Sequence, residues 1–230
     1  MDYKKIIIIA VVVIAICAVG AAIYTSMGSG GSASNLGDLG TTPFKTEFME
    51  GAFAGKDVKL VNDSEEFMHS YRDDEHGITY NISTVDNSTA LMDIYYIQGV
   101  MNPEQRNYNG NDWNIYFTQA VQGNDTNSSD LMTIVICQSQ GEKQGYMIYE
   151  IFDANSTVNV TSSTYGESYT KFVEPLLESV TLKESKNVPA INEEFGLTQE
   201  QFAQQMELIQ QVKAGNSTAI QQLQQASGAQ

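Results

Sequence analysis

Two apolar runs decide the fold, LMTIVICQ at 131–138 and GYMIYEIF at 145–152. Each is strand-length, rich in β-branched and aromatic residues, and apolar at odd and even positions alike. That pattern predicts central strands of a sheet covered on both faces. The connection SQGEKQG (139–145) is turn-rich and short, which makes the pair antiparallel.

Working outward, the run before this pair, NDWNIYFTQA (111–120), alternates, with Trp113, Ile115 and Phe117 on one face. Earlier, EEFMHSY to Arg72 and ITYNIST (78–84) flank an acidic turn. Ile78, Tyr80 and Ile82 form one face of the second strand and Thr79, Asn81 and Ser83 the other, which predicts a half-buried antiparallel strand. FKTEFMEGAF (44–53) and DVKLVND (57–63) read as a first strand pair, and ALMDIYYIQ (90–98) as a further strand.

After the loop 155–163 the period changes. Tyr169, Phe172, Val173, Leu176, Leu177 and Val180 follow helical spacing and predict a stripe lying across the sheet. Pro175 removes one backbone donor and is expected to kink this helix or to begin a second piece. Lys186, Asn187, Val188 and Pro189 close the domain. Thr198 with Gln201 then has the form of a capping box, and Phe202, Met206, Ile209 and Val212 line one side of a helix that Gly215 ends. That stripe either docks on its own domain or serves as an interaction surface for a partner or a second copy of the chain. A weaker helix (218–225), with Ile220 and Leu223, leads into a Gln-rich tail. The fold class is α+β, an antiparallel sheet with a packed helix and a C-terminal helical extension.

At the other end, the run between Ile6 and Tyr24 is nineteen residues without a charge, eleven of them Ile or Val. As a helix it is about 28 Å long, close to the roughly 30 Å hydrocarbon core of a bilayer. Lys4 and Lys5 precede it and no charge follows it closely, so the short N-terminus is expected in the cytoplasm and the rest of the chain outside. A cleaved secretory signal is the competing reading, and it exports the same domain. The expected organisation is a cytoplasmic stub and transmembrane anchor at 1–24, a Gly, Ser and Thr-rich linker at 25–43, an extracytoplasmic domain at 44–186 and the helical extension at 187–230.

The chain carries a formal charge of −16 at pH 7. The charges of residues 1–43 cancel, so the exported part holds all of it. Such a field repels phosphate backbones and argues against nucleic acid as a partner. Of the two cysteines, Cys17 falls in the apolar run and Cys137 among the strands, on opposite sides of the expected topology, so no intramolecular disulfide is expected.

Eight Asn-x-Ser/Thr triplets begin at Asn62, Asn81, Asn87, Asn124, Asn127, Asn155, Asn159 and Asn216, about three times the number that chance would place. Seven fall in expected loops and Asn81 on the polar face of its strand, so all eight are candidate glycosylation acceptors on the exported side.

Residues that carry catalysis are hard to find. His69 and His76 flank acids in HSYRDDEH, but the spacing matches no metal-ligand pattern. DTNSSD (125–130) begins like a calcium loop and then places Asp130 where Gly is needed and Ile136 where the bidentate Glu belongs. Tyr95, Tyr96, Tyr108, Trp113 and Tyr116 at strand spacing read as core rather than as a sugar-stacking platform. No metal or other cofactor and no catalysis are expected.

The segments NGNDWNIYFTQA, LMTIVICQ, GYMIYEIF and YTKFVEPLLESVTLKES, followed by SKNVPAINEEFGLTQEQF, resemble membrane-anchored surface proteins of methanogenic archaea that carry a PsbP-like domain. The likeness covers roughly residues 67–216. It implies an antiparallel sheet flanked by helices and no shared enzyme activity. Photosynthetic members of the family are accessory subunits that bind partners or ions. This chain departs from them in its acidity, its triplets and its apolar N-terminus, so no binding residue carries over. The function expected is a single-pass surface protein that interacts with the envelope or with another protein. The alternative is an extracytoplasmic enzyme or substrate-binding domain acting on envelope sugars or peptides.

Overall fold

The computed structural model describes residues 39–97, 100, 103–121, 131–156, 158, 166 and 168–226. The expected anchor (6–24), the linker up to residue 38, the DTNSSD loop up to residue 130, and Asn124, Asn127 and Asn159 lie outside them. Among the described residues no helix is long and apolar enough to cross a membrane.

Among the described residues ten strands form two sheets. β1 (Thr41–Lys45), β2 (Met49–Ala54) and the two-residue β10 (Thr181–Leu182) make a small antiparallel sheet in the order β1-β2-β10. β3 (Lys59–Glu65), β4 (Met68–Asp73), β5 (Ile78–Val85), β6 (Glu104–Tyr108), β7 (Asn111–Val121), β8 (Leu131–Gln140) and β9 (Gly145–Phe152) make a seven-stranded sheet in the order β3-β4-β5-β9-β8-β7-β6. All its pairings are antiparallel. β9 is the middle strand and β8 adjoins it, as their two-sided apolarity predicts, and every residue of β9 is buried.

The sheet is covered on both faces. On one, Tyr80, Ile82, Trp113, Ile115, Val135 and Ile148 meet Phe48 of the β1–β2 turn, Phe53 of the small sheet and Phe172, Leu176 and Leu177 of the helical segment. That segment is a π-helical turn (Tyr169–Val173) that passes into an α-helix at Glu174, with Pro175 in its first turn, where its missing N–H costs nothing. The other face carries Ile134, Ile136, Met147, Tyr149 and Ile151 under α1 (Thr89–Ile97), the short α3 (Ile191–Glu194) and α4 (Gln199–Lys213), where α2 denotes Glu174–Ser179 and α5 Ser217–Ala226.

Four expectations need correction. ALMDIYYIQ is helix α1, not a strand, because Ala90, Leu91, Ile94 and Tyr95 share one helical face on the sheet and Asn87 caps the start. The stretch 44–53 is a hairpin by itself, and β1 begins at Thr41, inside the stretch expected to be linker. Its supposed partner, DVKLVND, contributes β3 to the other sheet. β5 is not half-buried, since Thr79 and Asn81 are 0% and 3% exposed. A strand held between β4 and β9 under a second covered face has no wet side. The C-terminal extension closes that face of the sheet.

One close approach locks the two central strands to α1. A Cβ built on Gly145 would stand 2.1 Å from Ser88 Oγ and 2.6 Å from its backbone nitrogen. The Ser88 hydroxyl donates to the Ser139 carbonyl (3.2 Å), the Gln138 side-chain amide donates to the Ser88 carbonyl (2.6 Å), and the Thr84 hydroxyl donates to the Gly145 carbonyl (2.7 Å). Any side chain at 145 displaces this buried turn. Gly145→Ala is therefore expected to lower stability by about 3 kcal/mol, read from the shift of the urea unfolding midpoint.

Candidate functional site

The histidine corner is a fold joint. The Asp73 carboxylate accepts the His76 backbone N–H (3.0 Å) and faces its Nδ1 at 2.7 Å, and the ring packs on Phe172 with centroids 5.1 Å apart. His69 lies on the same face of β4 four residues earlier, about 13 Å up the strand, beside Phe48. The two imidazoles do not converge. Among the described residues no group of three or more His, Cys, Asp or Glu side chains is placed to hold a metal ion.

Arg72 ties this corner across the sheet. Its Nη1 and Nη2 donate to the two oxygens of Asp153 (3.2 and 2.5 Å), and Nη1 also donates to Thr79 Oγ1 (3.0 Å). The side chains of the ion pair are only 10% and 12% exposed. Burial opposes the guanidinium charge, but the carboxylates of Asp153 and Asp74 outweigh it and raise the Arg72 pKa.

The glycosylation candidates divide by exposure. Asn87, Asn155 and Asn216 are exposed, and each begins an Asn-Ser-Thr triplet. Asn87 Oδ1 accepts the Thr89 N–H (3.0 Å) and its hydroxyl (2.5 Å) at the start of α1. Asn216 Oδ1 accepts the N–H groups of Thr218 (3.0 Å) and Ala219 (3.3 Å) at the start of α5. In both, the oxygen caps the helix while the amide nitrogen, the atom that a glycan takes, has no part in the cap. Asn62 is half-buried at a register shift in β3. Asn81, expected on a polar face, is buried and unsuited as an acceptor in the folded protein.

The interaction-helix candidates turn inward. α4 opens with the expected capping box, Gln201 N–H to Thr198 Oγ1 (3.2 Å) and Thr198 N–H to Gln201 Oε1 (3.1 Å). Ile209 is 3% exposed, and Phe202 and Met206 pack on the second core cluster, with Phe202 stacked on Phe195. Val212 is half-buried. Asp93 of α1 accepts from Gln210 Nε2 (2.5 Å) and pairs with Lys213, so α4 is pinned at its far end too.

The aromatic residues also serve the core. Tyr95, Trp113 and Tyr116 are buried, the Tyr95 and Tyr149 hydroxyls share a 2.7 Å hydrogen bond, and the Tyr108 hydroxyl donates to Glu174 (3.1 Å). Tyr96 is exposed beneath the Lys213 ammonium. Burial pushes the Cys137 thiol far up, with the Glu150 charge adding to it, so the sulfur is no nucleophile. A shallow groove of about 370 Å³ runs along the β6–β7 hairpin, lined by Gln105, Arg106, Asn107, Asp112, Trp113 and Asn114. Gln105 donates to Asn114 (3.2 Å) and Asn107 to Asp112 (2.7 Å), so these groups are satisfied by one another rather than aimed at a common point.

Sequence reasoning missed Glu150, although it is the single charge in GYMIYEIF. It is 0% exposed, opposite Tyr80 on β5 and Val135 on β8, and among the described residues neither of its oxygens has a hydrogen-bond partner. The Tyr80 hydroxyl and the Trp113 indole nitrogen are also buried without partners. Burial raises the Glu150 pKa from 4.5 to about 8.

No protein-family model and no curated protein matches the chain. Among solved structures it is similar to a protein of Bacteroides thetaiotaomicron, at 9% identity over 82% of this chain and 69% of that one, with a TM-score of 0.44. It is also similar to the cyanobacterial PsbP protein (CyanoP) of Synechocystis, at 9% identity over 66% of this chain and 98% of that one, with a TM-score of 0.40.

The buried ion pair gives a test of the corner. Asp153→Ala strands the Arg72 guanidinium and is expected to cost about 3–5 kcal/mol, measured by chemical unfolding, whereas Asp74→Ala, at a 64% exposed partner, leaves the midpoint nearly unchanged.

Proposed function

We propose that the chain is a single-pass surface protein whose PsbP-like α+β domain stands outside the membrane, carries N-linked glycans and acts by binding an envelope component or another protein. The observation that carries this reading is the presentation of Asn87, Asn155 and Asn216, three Asn-Ser-Thr triplets at separate exposed turns with the capping work left to the oxygens of two of them. The uncharged run between Ile6 and Tyr24, behind Lys4 and Lys5, supplies the bilayer anchor and the orientation in this reading. Resemblance to the archaeal surface proteins supports the PsbP-like assignment and the cell-surface location.

Glycopeptide mass spectrometry on the chain made in a host that glycosylates exported proteins is expected to find glycans at Asn87, Asn155 and Asn216 and none at Asn81. Protease added to intact cells is expected to remove the domain. Unmodified peptides at all three exposed sites, or a domain protected from the protease, would overturn the proposal.

A further inference from the structure

Glu150 stands in the middle strand of the seven-stranded sheet, and strand alternation places it with Tyr146, Ile148 and Phe152 on the face turned to the small sheet and the π-helical turn. Tyr80 of β5 and Val135 of β8 stand directly opposite it, and the same face of the sheet carries Cys137 of β8 and Tyr71 and Asp73 of β4, the latter engaged by His76. From the covering layer, β1 and β2 contribute Phe44, Met49 and Phe53, the π-helical turn contributes Tyr169 and Phe172, and α2 contributes Leu176 and Leu177, with Glu174 held by Tyr108.

Among the described residues neither oxygen of this buried carboxylate has a hydrogen-bond partner, and the cost of removing an unpaired carboxylate from water exceeds the cost of holding its proton. The closed core therefore requires the neutral acid. We propose that Glu150 is a proton-dependent latch: the neutral acid lets the β1–β2 hairpin and the helical segment close on the sheet, and its carboxylate drives that layer open to admit water. The folded acid keeps its proton up to about pH 8, whereas an exposed carboxyl releases it near 4.5. Closure thus takes up a proton between these values. The closed form is fully favoured below the lower one, loses about tenfold in its equilibrium with the open form for each pH unit above it, and falls no further beyond the upper one.

Trp113 is the single tryptophan of the chain and is 1% exposed within the same cluster, so it reports on this layer. In the full chain in detergent micelles, acrylamide quenching of Trp113 is expected to rise severalfold, and reversibly, between about pH 5 and pH 8. Glu150→Gln keeps the shape of the neutral acid and is expected to hold quenching flat over that range. A rise of equal size in Glu150→Gln, or none in the wild type, overturns the latch. Should the variant fail to fold, infrared spectra of the wild type decide: the carbonyl stretch of a buried neutral acid must be present at neutral pH and vanish as quenching rises, and its absence at neutral pH overturns the proposal. Neither readout depends on the chain's location or glycosylation.

Discussion

The pairing of β8 with β9, closed on both sides, is the constraint on which the rest depends. Their backbone groups are satisfied by one another and by β5 and β7, so each apolar face can be buried without orphaned amides. Neither face is self-sufficient. One needs the small sheet and the helical segment from opposite ends of the domain, and the other needs α1 together with a C-terminal stretch that a linear reading treats as an appendage. Burial of each large side chain there is worth about 1.5–3 kcal/mol, so neither layer is dispensable.

Much of this was legible in the sequence because it rests on periodicity. The two-sided apolarity of 131–138 and 145–152 gave the central strands, the shift to helical spacing at Tyr169 gave the covering segment, and Thr198 with Gln201 gave the start of α4. Where periodicity was short or double, it failed. ALMDIYYIQ has apolar residues that satisfy either spacing, and only the tertiary contacts of Leu91, Ile94 and Tyr95 select the helix. Thr79 and Asn81 look like a solvent face because they are polar, yet polarity does not reveal that a second layer lies above them.

The candidate sites were less legible. A triplet can be counted in the sequence, but the burial of Asn81 and the exposure of Asn87, Asn155 and Asn216 depend on the layers around them. Glu150 was visible as a lone charge in an apolar strand, while its lack of partners arises from cross-strand register with Tyr80 and Val135. The Arg72–Asp153 pair joins residues far apart in sequence through β5, and no local pattern announces it.

The division of labour within the Asn87 and Asn216 side chains bears on how these positions age and drift. Hydrolysis of the amide, or replacement by Asp, removes the nitrogen but leaves an oxygen that caps a helix about as well. The starts of α1 and α5 are thus insulated from replacement of Asn by Asp and from the loss of the triplet that it brings. A lineage can discard the modification there without repaying the change in stability, whereas a change to an apolar residue gives up both together.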